Sequence, residues 1–246
     1  MFKVAAKRIV KTLSLPLLGT ITNVATDKNI AALTFDDGPD PDSTPVLLEI
    51  LKKYKVRATF FLIGKAAKRY PNLLHKIAVE GHAIGNHTWS HPQMRMLSKS
   101  ERIKQIQDCA EAIAPYGTKL FRPPYGDQTI GTRLDALQLG YQVITWNVVA
   151  FDWEIHDSTW ISGRLIENVK PGSIILLHDS LWNTISKGAE DRTAVFKALD
   201  AFLGATCSKY QFLTIPELLR SGHGEKQHWY FNSGMCERTL YIKNRF

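Results

Sequence analysis

NIAALTFDDGPDPDSTP, residues 29–45, is the stretch on which the reading of the fold turns. The apolar run Asn29–Phe35 reads as a buried strand, and Asp36-Asp37-Gly38-Pro39 ends it as a turn. Ser43-Thr44-Pro45 then opens a helix, with a hydroxyl cap and a proline in the first turn, and VLLEILKKY carries its apolar face.

The same unit of strand, turn and helix recurs outward from there. Ala58–Ile63 reads as a second strand, Asn72–Glu80 as a helix stopped by Gly81, and His82–Asn86 as a weaker strand. Ser98 and Glu101 stand at capping-box spacing and open a helix reaching Ala114. Lys119–Phe121, Gln142–Val149 and Ser173–Leu177 are further strands, with helices at Ile130–Leu139, Ser158–Val169 and Arg192–Leu203. Tyr210–Leu213 closes the series before a short helix at Pro216–Arg220. About seven such alternations without an internal repeat argue for a parallel sheet, either a (β/α) barrel or a doubly wound sheet. In both architectures the working residues belong at the carboxyl ends of strands.

Composition sets the outer bounds. The chain has 246 residues, 44% hydrophobic and 22% charged, which excludes a disordered or collagen-like chain. Its three cysteines, Cys109, Cys207 and Cys236, are odd in number and widely spread, so neither a disulfide scaffold nor a zinc-ligand pair is expected. With 31 Lys+Arg against 23 Asp+Glu the net charge is +8 and the pI about 9.3. Positive residues alternate with negative ones along the helical segments, and no basic block or RNA-binding signature occurs, so nucleic acid is not an expected partner. A solvated basic surface, an anionic cell-wall polymer or a membrane surface each accounts for the charge.

The amino terminus has two readings. Lys3, Lys7, Arg8 and Lys11 precede the apolar stretch Leu13–Ile21, which is interrupted by Pro16, as in the basic and hydrophobic parts of an export signal. Against that, Asn23-Val24-Ala25 makes a poor cleavage site and the stretch is too short for a transmembrane helix. The other reading is an amphipathic leader packed by Phe2, Val4, Ile9 and Leu13. Location in the cell envelope and in the cytoplasm both stay open, as does the oligomeric state. The chain divides into a leader, 1–28, a catalytic domain, 29–220, and a tail, 221–246, that holds Trp229 and Tyr230.

Titratable residues fall at the ends of five separate strands. Asp36 and Asp37 follow the first and His87 and His91 the third; Arg122, Asp152 and His178 follow later ones. In His87-Thr88-Trp89-Ser90-His91 the i, i+4 spacing puts both rings on one face of a helical turn, as a metal site requires. With eight His in 246 positions, chance supplies such a spacing in roughly one chain of four, so alone it is weak. A carboxylate from elsewhere completes a set of three ligands and leaves positions for water and substrate. Asp36-Asp37 can supply it: adjacent acids repel, and a cation held by one relieves the repulsion and leaves the other free as a base.

Thr34-Phe35-Asp36-Asp37-Gly38-Pro39, His87-Thr88-Trp89-Ser90-His91, Arg122-Pro123-Pro124-Tyr125-Gly126, Asp152-Trp153 and Leu176-Leu177-His178 occur in that order. Together they resemble the polysaccharide deacetylase family, the NodB-homology group of carbohydrate esterases, over residues 29–220. A fixed string such as Thr-Phe-Asp-Asp-Gly arises by chance on the order of once in ten thousand chains of this length. The resemblance implies that Asp37, His87 and His91 bind a divalent ion, most often zinc, with cobalt or another ion as alternatives. It implies Asp36 as general base, held by Arg122 through a potentially bidentate hydrogen bond, and His178 as general acid, oriented by Asp152. Trp153 and Leu176 would line a pocket for the acetyl methyl, and the Tyr125 backbone N–H would help bind the oxyanion.

The chain departs from the family pattern at one position. Members often carry Asp three residues before the Asp-Trp pair, where this chain has Val149, so a supporting contact is absent or replaced, for example by Asn147. Trp182 is read equally as a sugar-stacking and a packing residue, and His75, His82, His156, His223 and His228 match no motif. The expectation is an irregular (β/α)7–8 barrel of one domain, removing N-acetyl groups from chitin oligomers or peptidoglycan. The rivals are hydrolysis of a non-sugar amide at the same metal centre and a silent glycan-binding module; the second expects loss of a ligand or base that this sequence retains.

Overall fold

The computed structural model describes residues 18–183 and 188–227. Seven parallel strands form a curled sheet in the order β6-β5-β4-β3-β2-β8-β7, with β9 added on β2. These strands are β2 (Ile30–Asp36), β3 (Thr59–Leu62), β4 (Ala83–Asn86), β5 (Gly117–Phe121), β6 (Gln142–Val143), β7 (Val148–Val149), β8 (Ile174–His178) and β9 (Gln211–Phe212). The outer helices are α1 (Thr44–Lys53), α2 (Gly64–Arg69), α3 (Pro71–Val79), α4 (Lys99–Ala112), α5 (Ile130–Gln138), α6 (Ser158–Asn168), α7 (Thr193–Thr206) and α8 (Ile215–Arg220). The result is the irregular single-domain barrel expected from the alternation.

Strand β2 shows why the sheet forms here. Ala31, Leu33 and Phe35 join the layer packed by the helices, including Leu47, Leu48 and Leu51 of α1, while Ile30 and Ala32 face the inner layer with Phe61, Ile174 and Leu176. Both faces are buried, so the strand is predominantly apolar, as parallel strands are, and its Thr34 hydroxyl is satisfied by the Ile175 carbonyl (2.7 Å). The helix ends obey local chemistry: Ser98 caps α4 by donating its N–H to Glu101 (2.8 Å) while its hydroxyl accepts from the Glu101 N–H (3.4 Å).

Three features depart from the sequence reading. Gln142–Val149 is not one strand, because its backbone changes partner part-way. Ile144 N–H donates to Phe121 on the β5 side, whereas Asn147 N–H donates to Ile174 of β8. Helix α2 was not anticipated; its short, basic run lacks a periodic apolar face. Gly64 opens it because a Cβ there would lie 2.6 Å from the Trp89 ring.

The third departure is a strand pair drawn from the two ends of the described chain. β1 (Thr20–Ala25) and β10 (His223–Gln227) run antiparallel, with Thr20 opposite Gln227. β1 also spans the seam between the sheet's edges: Thr145 N–H donates to the Ile21 carbonyl (2.8 Å) and Val24 N–H to the Gly172 carbonyl (2.9 Å). The rest of the leader, with Phe2, Val4, Ile9 and Leu13, and the tail residues Trp229, Tyr230 and Cys236, lie outside the described residues. Cys109 and Cys207 are free thiols. Among the described residues no helix is long and apolar enough to cross a membrane.

Candidate active site

The carboxyl ends of β2, β4, β5 and β8 converge. Asp36 is the last residue of β2 and lies opposite His178, the last of β8, in the parallel register. Immediately after Asp36 the chain turns through Asp37 at φ +80°, a left-handed conformation that Asp tolerates better than bulkier residues. Gly38 follows where a Cβ would sit 2.1 Å from Asp179 Oδ2, so the turn passes against a buried carboxylate that only glycine can approach.

Asp37, His87 and His91 form a buried cluster whose ligand atoms lie within 4.8 Å of one another. Asp37 Oδ1 stands 3.2 Å from His91 Nε2 and 3.5 Å from His87 Nε2, yet it has no hydrogen-bond partner among the described residues. Asp37 Oδ2 accepts the Trp182 backbone N–H (3.0 Å). His87 Nδ1 must donate to the Arg122 carbonyl (2.7 Å), which leaves Nε2 with its lone pair on the Asp37 side. An orphaned buried carboxylate oxygen facing two imidazole nitrogens is the donor set of a divalent metal site, and the residues fit such an ion. Burial opposes the charged form of Asp37, but the charge of the neighbouring His91 leads the opposing effects, and the carboxyl lies well below its ordinary range.

The histidine pair does not lie on a helical turn as the spacing suggested. Thr88 and His91 have φ of +70° and +59°, so the segment is a tight irregular loop. It is pinned by its own polar groups and by α2. His91 N–H donates to Thr88 Oγ1 (3.0 Å), Thr88 N–H to Asn86 Oδ1 (2.9 Å), and the first N–H groups of α2, Gly64 and Lys65, to the Thr88 and Trp89 carbonyls. The His91 ring meets the Tyr125 ring edge-on at 4.5 Å.

Asp36 is held from the other side. Arg122, fully buried, donates from Nη1 to Asp36 Oδ1 (2.7 Å), a single hydrogen bond rather than the bidentate pair that the sequence allowed. Its other contacts explain why: Nη1 also meets Thr34 Oγ1 (2.7 Å), Nη2 donates to the Thr145 carbonyl (3.0 Å), and the guanidinium lies 4.1 Å from the Phe61 ring centroid. This arginine fixes the β2 end against the β6–β7 seam while presenting one N–H to the carboxylate.

His178 faces a second acid. Its Nδ1 lies 3.0 Å from Asp152 Oδ1, and its backbone N–H donates to Asp152 Oδ2 (2.8 Å). Burial opposes the His178 charge, but Asp152, with smaller contributions from Asp37 and Asp36, raises its pKa to about 9. Asp152 itself is lowered: burial is overcome by the charges of His178 and Arg192. Trp153 meets the His178 ring edge-on at 5.6 Å, and Leu176 is buried in the inner layer against which Trp153 packs. Tyr125 sits at φ +61° in the turn Pro124–Gly126, its hydroxyl accepting from Asn183 Nδ2 (3.1 Å).

Two contributors escaped the sequence reading. The Trp182 backbone N–H that orients Asp37 belongs to a side chain considered only for stacking or packing. Arg192, placed at the start of a helix, reaches Asp152 by a short contact between its Nη2 and Asp152 Oδ2. Of the two alternatives at Val149, an absent contact or its replacement for example by Asn147, the second gains no support from Asn147, whose Oδ1 accepts the Ile174 N–H (2.9 Å).

Comparison with known proteins places this arrangement. The family model for polysaccharide deacetylase matches residues 23–144. A peptidoglycan-N-acetylglucosamine deacetylase of Bacillus cereus is 35% identical over 204 residues, covering 81% of this chain and 72% of the relative. A chitooligosaccharide deacetylase of Azorhizobium caulinodans is 37% identical over 167 residues, 66% of this chain and 80% of the relative. The crystal structure of the Bc1960 peptidoglycan N-acetylglucosamine deacetylase superposes with a TM-score of 0.74 at 34% identity, over 83% of this chain and 94% of that one.

Proposed function

Because the chain belongs to the polysaccharide deacetylase family, we propose that it hydrolyses the N-acetyl groups of N-acetylglucosamine-containing glycans, as peptidoglycan or chitin oligomers. It is a polysaccharide N-deacetylase, a hydrolase of non-peptide C–N bonds with an Asp/His/His metal-binding triad. The observation that carries this is the buried Asp37–His87–His91 cluster flanked by two separately paired groups, Asp36 with Arg122 and His178 with Asp152.

Asp37, His87 and His91 would hold a divalent ion, zinc in our reading, which when bound would supply a Lewis acid that acidifies water and polarises an acyl oxygen. Asp36 takes the proton from the attacking water, its carboxylate kept in place by Arg122. The water oxygen bonds to the acetyl carbon, and charge moves to the acyl oxygen, where the Tyr125 N–H stabilises it. His178, with Nδ1 engaged by Asp152, gives the Nε2 proton to the amide nitrogen as the C–N bond breaks. Acetate and the free amine leave. Trp153 and Leu176 receive the acetyl methyl, and the part-exposed Trp182 offers an indole face to a sugar ring.

Acetate release from chitin oligomers, peptidoglycan and simple acetamides, with and without chelator, tests the reading. Chelator-sensitive release from a glycan is expected; release from the acetamides alone transfers the activity to non-sugar amides. A second expectation concerns pH. The acid must begin protonated, and its pKa is raised from 6.5 to about 9, so kcat holds through neutrality and falls as pH rises through that range. A rate still level well above pH 9 removes His178 as the proton donor.

A further inference from the structure

We propose that Arg192 is a positioning residue for proton delivery: one guanidinium ties the side chain and backbone of Asp152 to the strand end that carries His178, and thereby aims the His178 ring. The inference rests on the reading of His178 as the acid. Arg192 precedes the first turn of α7 and is 4% exposed. Its Nη2 donates to Asp152 Oδ2 and to the His178 carbonyl (3.1 Å), and its Nη1 to the Asp152 carbonyl and to the Ala189 carbonyl (3.3 Å). The same carboxylate oxygen accepts the His178 N–H, while its twin faces His178 Nδ1.

This geometry leaves Arg192 little purpose as a surface ion pair. The nearby Asp191 carboxylate is taken up by the Thr193 N–H (2.9 Å), and the Asp152 side chain is wholly buried. Val149 carries no charge and the Asn147 oxygen is committed to Ile174, so neither supplies what Arg192 supplies. A planar guanidinium can reach several acceptors at fixed angles; an ammonium at the same place cannot. Without it Asp152 keeps, among the described residues, only His178 as an ion-pair partner, and the orientation of the pair is no longer imposed from outside the pair.

The test uses full-length Arg192→Ala and Arg192→Lys with two substrates. One is an N-acetylated chitin oligomer, whose amine must be protonated to leave; the other is 4-nitrophenyl acetate, whose phenolate leaves without a proton. Arg192→Ala should lower kcat on the glycan about 10- to 100-fold, as loss of a partner supporting an active group does. KM should stay within about twofold and metal content unchanged, while ester hydrolysis is largely spared, a loss confined to the chemical step. Guanidinium ion in the medium should restore part of the lost amide activity. Equal losses on amide and ester, or an unchanged glycan rate, overturn the inference. If the alanine variant does not fold, the amide-to-ester ratio of Arg192→Lys decides in the same way. A wild type inert on every glycan but active on a simple acetamide sinks the substrate assignment alone, and the acetamide-to-ester ratio then decides Arg192.

Discussion

Replacement of Asp36 by Asn is expected to remove turnover while the protein folds and still holds its metal ion. The side chain keeps its size, and its amide oxygen can accept the Arg122 N–H that now ends on Asp36 Oδ1 at 2.7 Å. What disappears is the capacity to take a proton from water. Base catalysis by a placed side chain is worth about 10² to 10⁴-fold, or roughly 3–5 kcal/mol of barrier, so acetate release should fall by at least the lower figure. Asp37, His87 and His91 are untouched, so metal content by elemental analysis should match wild type. An Asn variant releasing acetate at the wild-type rate would falsify the assignment of Asp36 as the base.

Removal of the ion is expected to be as severe and, unlike the substitution, reversible. Asp37, His87 and His91 form a buried group consistent with a divalent metal site, and the Asp37 oxygen near both imidazoles has no hydrogen-bond partner among the described residues. A strong chelator should abolish acetate release, and titrating back zinc, cobalt or another divalent ion should restore it; the ion giving the highest rate at stoichiometric loading tests the zinc reading. Binding to the folded state alone also stabilises it, by about 2.7 kcal/mol at a ligand concentration 100 times Kd, so the melting temperature should fall on chelation and recover with metal. Full activity in a sample shown to be metal-free would overturn the site.

Much of this was legible in the sequence because the decisive residues sit in local patterns. Ile30–Leu33 is apolar throughout since both of its faces are covered, and Asp36-Asp37-Gly38-Pro39 marks the point where that strand meets the site. His87 and His91 were found by their spacing, but not their conformation: a separation of four is compatible with a helical turn and equally with a loop bent by two positive φ angles. What is contributed from a distance left no such mark. β10, His223–Gln227, is polar along its length and becomes a strand only because β1 pairs with it from the other end of the described chain. The Trp182 contact uses a backbone N–H that every residue but proline has. Arg192 sits in the charged run Glu190-Asp191-Arg192, and what engages it, Asp152 and the His178 carbonyl, comes from other segments of the chain. The break in Gln142–Val149 is of the same kind, since its backbone switches between neighbours that lie far apart in the chain.

The pairing of β1 with β10 also governs how the molecule can be handled. Thr20 and Gln227 stand opposite each other, so whatever precedes Leu18 and whatever follows Gln227 depart from a common corner. A tag put in place of residues 1–17 and one put in place of residues 228–246 would grip the body at nearly the same place. Immobilised on a bead through either, it should present the same side to a bulky insoluble polymer.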